Sequence, residues 1–464
     1  MFLVIHPLYV VLTGFLIWAI WALGNSFRYL EAIRISADKY TFKAKPGFRF
    51  YSLVIPALVI LLTLFLFAIE NQLRYEKAGQ EVVFEKREKL PTFSPLRLTP
   101  KSVATRYAED TFQNPQEHLG DSQIVLINGK LERVFPRFPD GGLLYFLNKL
   151  SGFVLIETDT LERKVSIEDV TFKYANGIGI FDNLYFQLSL KKYFVEYSKE
   201  PIYLKNDKGQ WITVVPYITY RGLLLRTPEW GGVMVIDPDG TITDYSPEEA
   251  QKISYFEKNR IYPKELAEFY SEAYAYRKGL LNKWFFHEDQ SEIVHLPASE
   301  KVLHVPTTEG YKQMIVTEPY GKSYGIFKIF FFDATTGKAE IVEYDQKTQL
   351  TGPIAAADYV KREFPTYDWN SFILSEPRPI LVQDSLYWLL SIIPYDAAGI
   401  AGTVLVNAET NEVLRFLTQA ELNAFITSGT APIVPSTPGF SKAQIQERVN
   451  SLQRELDQLK QLVR

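Results

Sequence analysis

"FFFDATTGKAEIVEY", residues 330–344, sets an apolar run, an acid, two threonines, a glycine and a second apolar run side by side. Asp333 is then either the acid of a site or the corner of a hairpin. Aspartate bonds backbone N–H groups one turn ahead and glycine accepts positive φ, so the pattern predicts a β-hairpin with Asp333 at its corner. Three other stretches repeat it. Val154-Leu-Ile-Glu157-Thr-Asp-Thr160 leads to Lys164-Val165, Val233-Met-Val-Ile-Asp237-Pro-Asp-Gly240 to Ile242, and Val404-Leu-Val-Asn407-Ala-Glu-Thr410-Asn411 to Val413-Leu414.

Helix signals stand upstream of these hairpins. Thr99 is positioned as an N-cap and Pro100 as the first helical residue, with Val103, Ala104, Tyr107 and Ala108 at helical spacing up to about Phe112. Pro263 opens a second helix with Leu266, Phe269, Tyr270 and Ala273 on one face, stopping near Gly279. Pro353 opens a third, with Ile354, Ala357, Val360 and Phe364 inward, ended by Pro365. Ser246-Pro-Glu-Glu249 fits a capping box. Strands are expected around Phe372 to Leu374, Leu386 to Ile393 and Thr403 to Val406. Tyr185, Phe186, Tyr193, Phe194, Tyr197 and Tyr203 fall in stretches read as strand-like, where alternate aromatics fill a core or pair across strands. A helix followed by a meander buries its apolar face on the sheet, which gives an α+β class.

The amino-terminal part follows a different rule. No formally charged side chain occurs from Phe2 to Phe27 or from Phe50 to Ile69. A helix crosses a hydrocarbon core with about 20 apolar residues, so each run is long enough to span a membrane. The first run lacks the basic leader of a signal peptide. His6 and Pro7 fall at its start, where a neutral helix-end histidine is the simpler reading than a proton relay. Between the runs Arg28, Arg34, Lys39, Lys43, Lys45 and Arg49 outnumber Glu31 and Asp38, and positive loops stay in the cytoplasm. Residues 71–464 are thus expected outside the cytoplasmic membrane, although Arg74, Lys77, Lys86, Arg87 and Lys89 place positive charge after the second run as well.

The helix, strands and closing hairpins written "IFFFDATTGKAEIVEY" and "TVLVNAETNEVLRF" resemble the PepSY domain, a cystatin-like unit of bacterial envelope proteins. The resemblance covers 353–417 best and 99–167 and 263–345 less well, leaving 171–232 unmatched. Asp333-Ala-Thr-Thr-Gly337 carries the full Asp, Thr and Gly set. Asn407 to Asn411 replaces both ends, Glu157 to Leu161 lacks the glycine, and Asp237 to Gly240 is shortened. The resemblance implies an extracytoplasmic module that contacts other proteins, sometimes peptidases or wall enzymes, and brings no catalytic residues with it.

Chemistry-bearing motifs are sparse. The 464 residues contain no cysteine and five histidines, and a formal charge of -4 gives no general attraction to nucleic acid. His287-Glu288-Asp289, His295 and His304 form the densest histidine region, but the spacing is not that of a zinc helix. Aligning Asp237-Pro-Asp239-Gly240 with a calcium loop puts Val235 and Ser246 at its first and last ligand positions. Gly321-Lys-Ser323-Tyr-Gly325 matches a nucleophile-elbow pattern but leads into a strand, and every histidine precedes it. Neither glycine-rich nucleotide-binding pattern occurs. Paired acids such as Glu248 and Glu249, or Glu340 and Glu343, read as solvated. The expectation is therefore no enzyme, no cofactor and no metal.

The carboxyl end carries the interaction signal. "SGTAPIVPSTPG", 428–439, breaks helix and ends a domain. Beyond it Ile445, Val449, Leu452, Leu456, Leu459 and Val463 are spaced four, three, four, three, four, a heptad seam for oligomerisation or partner binding. Glu455 and the following Lys460 would attract across a parallel pair.

The organisation expected from sequence is a transmembrane hairpin at 1–70, a linker at 71–98, α+β regions at 99–246, 247–350 and 351–427, a linker at 428–440 and a coiled-coil helix at 441–464. Expected partners are membrane lipid, envelope proteins and a second copy through the terminal helix, with no nucleic acid. The role expected is scaffolding or assembly of an envelope complex, with modulation of an envelope peptidase or cell-wall hydrolase as the alternative.

Overall fold

The structure, a computed structural model, describes residues 6–28, 30–36, 39–45, 49–257, 259–294, 301–321, 325–344 and 350–429. The linker beyond 429 and the heptad residues Ile445, Val449, Leu452, Leu456, Leu459 and Val463 lie outside the described residues, as do His295 and Ser323.

Helices α1 (Pro7–Phe27) and α2 (Tyr51–Glu81) are both long and apolar enough to cross a membrane. They lie antiparallel: Tyr9 packs on Phe67 near one end, and Ser26 Oγ donates to the Ser52 carbonyl at 2.8 Å near the other. Leu12 and Ala19 are buried between them, while Phe15, Ile17, Trp21, Leu58, Leu61 and Phe65 face outward. Between the helices the backbone forms a two-stranded antiparallel hairpin, Leu30–Ser36 with Lys39–Ala44. Residues 71–81, expected as the start of a linker, continue α2. The stretch is rich in Glu, Gln, Arg, Lys and Ala, which favour helix, and it has a packing partner.

Four large sheets follow, all built on one plan, besides a two-stranded pair of Gly325–Ile326 with Leu350–Thr351. In sheet I, Glu117–Leu119 and Gln123–Ile127 both pair with the long strand Lys130–Pro139, and Leu150–Glu157 and Val165–Phe172 complete an antiparallel meander. Sheet II repeats this with Glu196–Tyr197 and Ile202–Lys205 on Trp211–Arg221, then Thr227–Ile236 and Ile242–Tyr245. Sheet III uses Ser291–Ile293 and Leu303–Thr307 on Gly310–Pro319, then Lys328–Asp333 and Ala339–Glu343. Sheet IV uses Phe372–Leu374 and Arg378–Val382 on Ser385–Pro394, then Gly402–Asn407 and Val413–Phe416. One helix precedes each: α3 (Lys101–Thr111), α4 (Leu184–Lys191), α5 (Lys264–Tyr274) and α6 (Pro353–Glu363). A last helix, α7 (Gln419–Ser428), covers the outer face of sheet IV through Leu422 and Phe425.

The class is thus mixed α+β with several antiparallel sheets, and region 99–246 contains two of them. The stretch 171–232, which the resemblance left unmatched, holds α4 and the first strands of sheet II. Tyr185 and Phe186 are helical rather than strand-like, because the Asn183 side chain accepts from the Phe186 N–H at 3.2 Å and Leu184 and Leu188, four apart, are both buried. Helix α3 starts one residue later than expected. Pro100 is its N-cap, and the Thr99 hydroxyl donates to the Thr160 carbonyl instead of capping. The Ser246 capping box is present with both reciprocal bonds.

The four hairpins sit at one place in the plan, between the fourth and fifth strands of each sheet. Asp333 Oδ1 accepts from the N–H groups of Thr335 and Thr336 at 3.0 and 2.8 Å, and Gly337 takes φ 75°. Asn407 Oδ1 does the same for Glu409 and Thr410 at 2.8 and 3.0 Å, with Asn411 at φ 65°. Asp333 is therefore a corner. Asp333→Ala is expected to cost about 1–2 kcal/mol in chemical denaturation, whereas Asp333→Asn, which copies sheet IV, should lose little.

The sheets close into a ring. Sheets I and II share a core through Phe153, Phe172, Tyr203, Trp211 and Val233. Helix α5 fills the space between sheets II and III, and sheets III and IV pack through Phe331, Met314, Trp388 and Val406 with α6. Sheet IV returns to sheet I where Ile393 joins Val103, Phe135 and Val154, and the Arg106 guanidinium donates to the carbonyls of Pro394, Tyr395 and Ala397.

Past α2, Glu85–Arg87 adds to the edge of sheet III in parallel with Glu340–Val342. Arg87 bonds both Glu309 and Glu340 there. The Arg87 hydrogen bonds hold the Glu309 carboxyl down, from 4.5 to about 2. A depressed acid contributes fully above its unfolded value and loses that contribution as pH falls through the folded one. Wild type should thus lose melting temperature between pH 4.5 and 2 more steeply than Glu309→Gln.

Candidate functional site

Where α2 leaves its apolar segment it is fused to the sheet ring. Gly79 makes the closest approach: a β-carbon there would lie 2.2 Å from the Ala273 carbonyl oxygen of α5. The Tyr75 ring stacks against Phe269 and Tyr276, and its hydroxyl donates to Glu272 at 2.7 Å. On the other side Arg74 Nε and Lys77 Nζ donate to the carbonyls of Arg226 and Leu225 at 2.9 and 3.0 Å, in the loop joining the two long strands of sheet II. Arg221 pairs with Glu81 at 3.0 Å. Helix and ring are thus joined by close packing, hydrogen bonds and an ion pair.

A polar cluster marks the transition. Glu70 is fully buried, with His6 Nδ1 at 3.6 Å and Arg74 Nε at 3.9 Å, and Tyr9 stacks on the His6 ring. His6 is the N-cap residue of α1, at the helix end. Large apolar side chains flank the same level. Trp284 Nε1 donates to Gln72 Oε1 at 2.6 Å, and beside it Leu281, Phe285 and Phe286 are exposed, as is Leu223 in the sheet II loop held by Lys77. At 1.5 Å per residue, Gln72 and Lys77 stand only about 3 and 10 Å beyond Glu70.

The second exposed apolar surface lies where sheets I and II meet. Leu143, Phe146 and Leu147, in the connection between the third and fourth strands of sheet I, are each more than half exposed, as are Ile180 and Phe181. The Gly179 N–H donates to the Tyr145 carbonyl at 2.9 Å, joining the two segments, and Phe181 stacks edge-on against Phe186 of α4. Tyr193 and Phe194 are also exposed, whereas Tyr203 is buried and Tyr185 and Tyr197 donate to backbone carbonyls. The sequence reading of these aromatics as core was right for Tyr203 and not for Phe186, Tyr193 and Phe194.

The remaining motif residues have structural surroundings. His287 stacks on Tyr320 at 4.0 Å, and Glu288 faces Lys278 at 3.5 Å. Burial alone would raise the Asp289 carboxyl, but Lys328 and Arg277 bond it and hold it below the usual range. Asp239 Oδ1 accepts from the Thr241 N–H at 2.9 Å in its turn. Among the described residues no group of three or more His, Cys, Asp or Glu side chains is placed to hold a metal ion. His304 lies far from these, buried at the ring's centre against Arg260.

No family model matches the chain and no curated protein matches it. Among solved structures, a GH43_1 enzyme from Xanthomonas citri aligns over 62% of this chain and 86% of its own at 10% identity and a TM-score of 0.16. A D477G ACO/RPE65 chimera aligns over 64% and 50% at 12% identity and a TM-score of 0.14. Likenesses at that level carry no argument about fold or activity.

Proposed function

We propose that the protein is a membrane-anchored assembly factor: α1 and α2 cross the cytoplasmic membrane, the sheet ring lies outside it, and the ring binds other envelope proteins. The observation that carries the binding role is the exposed surface of Leu143, Phe146, Leu147, Ile180 and Phe181. Contiguous exposed apolar side chains of this kind mark interaction surfaces. Anchoring is supported by the outward apolar faces of α1 and α2, and by Trp284, Phe285, Phe286 and Leu223 at the level where α2 turns polar, the level favoured by interfacial aromatics. The helix-then-meander plan supports PepSY-like modules, and the heptad residues Ile445 to Val463 supply a second contact, between copies or with a partner.

The test is a pull-down from native membranes with a tag after Arg464, comparing wild type with Phe146→Glu/Phe181→Glu. A stoichiometric set of membrane proteins recovered by wild type and lost by the variant supports assembly. A lone peptidase or wall hydrolase supports modulation instead, and the chain recovered alone refutes both. The absence of cysteine allows a clean topology check. A cysteine placed at Glu162, whose side chain is 76% exposed, should react with an impermeant maleimide on intact cells, and one at Ala37 should not.

A further inference from the structure

The centre of the ring is cationic. Arg133 of sheet I, His304 of sheet III and Arg378 of sheet IV are buried there, and Arg260, from the segment after sheet II, is 6% exposed. Arg97 reaches in ahead of α3 and bonds Glu376 at 3.1 Å. Glu376 is the carboxylate that faces Arg97, Arg378 and Arg133 together, and Glu200 is paired with Lys264. Among the described residues Arg97, Arg378 and Arg133 thus face Glu376, while Arg260 faces His304 and shares a cavity wall with Glu200. A guanidinium does not shed its proton when buried, and an uncompensated charge taken out of water is strongly unfavourable. Among the described residues no carboxylate pairs with Arg260.

The arginines are not partnered equally. Arg378 donates to the carbonyls of Arg97 and Leu98 and to the hydroxyls of Ser375 and Ser391. Arg260 has one nitrogen, Nη1, against His304 Nε2 at 2.9 Å, while its Nε and Nη2 meet no acceptor among the described residues. His304 is held neutral by burial and by the surrounding Arg260, Lys264, Arg97 and Arg133, which push it well below its usual range. Its Nε2 must then accept from Arg260, so the ring proton sits on Nδ1, a further donor that also meets no protein acceptor among the described residues. His304 forms a wall common to two small cavities, of about 20 and 10 Å³. Arg97 and Arg378 line the first, and Arg260 and Lys264 line the second together with Gln313 and the Glu200 carboxylate that Lys264 holds. Each has room for one guest about the size of a water molecule, too little for a phosphate or an organic acid.

We propose that the ring's centre binds a small monovalent inorganic anion of chloride size, held by Arg260 with His304 and the neighbouring guanidinium groups, and that this ion joins the four sheets. The site is structural and owes nothing to the membrane reading. The experiment is thermal unfolding of the detergent-solubilised full chain in sodium chloride or sodium gluconate at equal ionic strength. Chloride should raise Tm by about 2–4 °C along a saturating curve; bromide should replace it and the bulkier gluconate should not. Arg260→Gln should flatten the chloride curve. Coincident chloride and gluconate curves for wild type, or an undiminished response in Arg260→Gln, overturn the proposal. If that variant does not fold, crystals of wild type grown in bromide decide: an anomalous peak beside Arg260 supports the site, and its absence rejects it.

Discussion

Gly79→Val is expected to separate α2 from the sheet ring and to lower stability by about 3 kcal/mol. At this position a β-carbon meets the backbone at the end of α5, the Ala273 oxygen at 2.2 Å and the Arg277 nitrogen at 3.3 Å, so no side-chain rotation relieves the clash. The helices must part. Parting them also pulls Tyr75 from between Phe269 and Tyr276 and strains the bonds from Arg74 and Lys77 to the sheet II loop. Limited trypsinolysis of the detergent-solubilised chain should then cut after Arg74 or Lys77, which are shielded in the wild type. The control is Gly24→Val in α1, where nothing lies within 4 Å of a β-carbon. A Gly79→Val chain with wild-type melting and cleavage would mean that the helix is not docked as described.

Trp388→Ala carries the other large effect, a loss of about 3–5 kcal/mol. The indole is fully buried in the core shared by sheets III and IV, and its Nε1 donates to the Thr351 carbonyl at 2.8 Å. Truncation leaves a cavity between two sheets that are both stiff, so the walls cannot collapse to fill it, and it also orphans the Thr351 carbonyl. Trp388→Phe keeps most of the burial and loses the bond, and should cost about 1–2 kcal/mol. Denaturant titrations of the two variants separate these contributions. Equal losses would place the effect in the hydrogen bond, not the cavity.

Local rules made much of the fold legible. The corner residues Asp333 and Asn407 act through bonds to the next few backbone N–H groups, so neighbouring letters suffice to find them. The capping box at Ser246 and the start of α6 at Pro353 are similarly local. Sheet II is only partly legible: its last hairpin at Asp237 follows the repeated pattern, whereas α4, only 8 residues long, reads as strand and leaves the strands after it without a helix to mark them. The end of α2 was misread for a related reason. Residues 71–81 are polar, and only their docking on α5 explains why so charged a stretch stays helical.

The functional surfaces divide the same way. Nothing in the letters of Leu143, Phe146, Phe181 or Phe194 separates them from core residues such as Phe153, because exposure depends on what the rest of the chain covers. His304 stood in the sequence as one member of a loose histidine region, yet its neighbours Arg133, Arg260 and Arg378 come from segments far apart in the chain. Sequence alone determined two apolar spans, the α+β class and the chemistry of the turns, each set by residues within one helix length of one another. Tertiary structure alone decided that four sheets share one plan, that they close into a ring, and that four guanidinium groups meet inside it. Burial and net charge at a point in space are sums over distant segments, and no local window of the chain contains them.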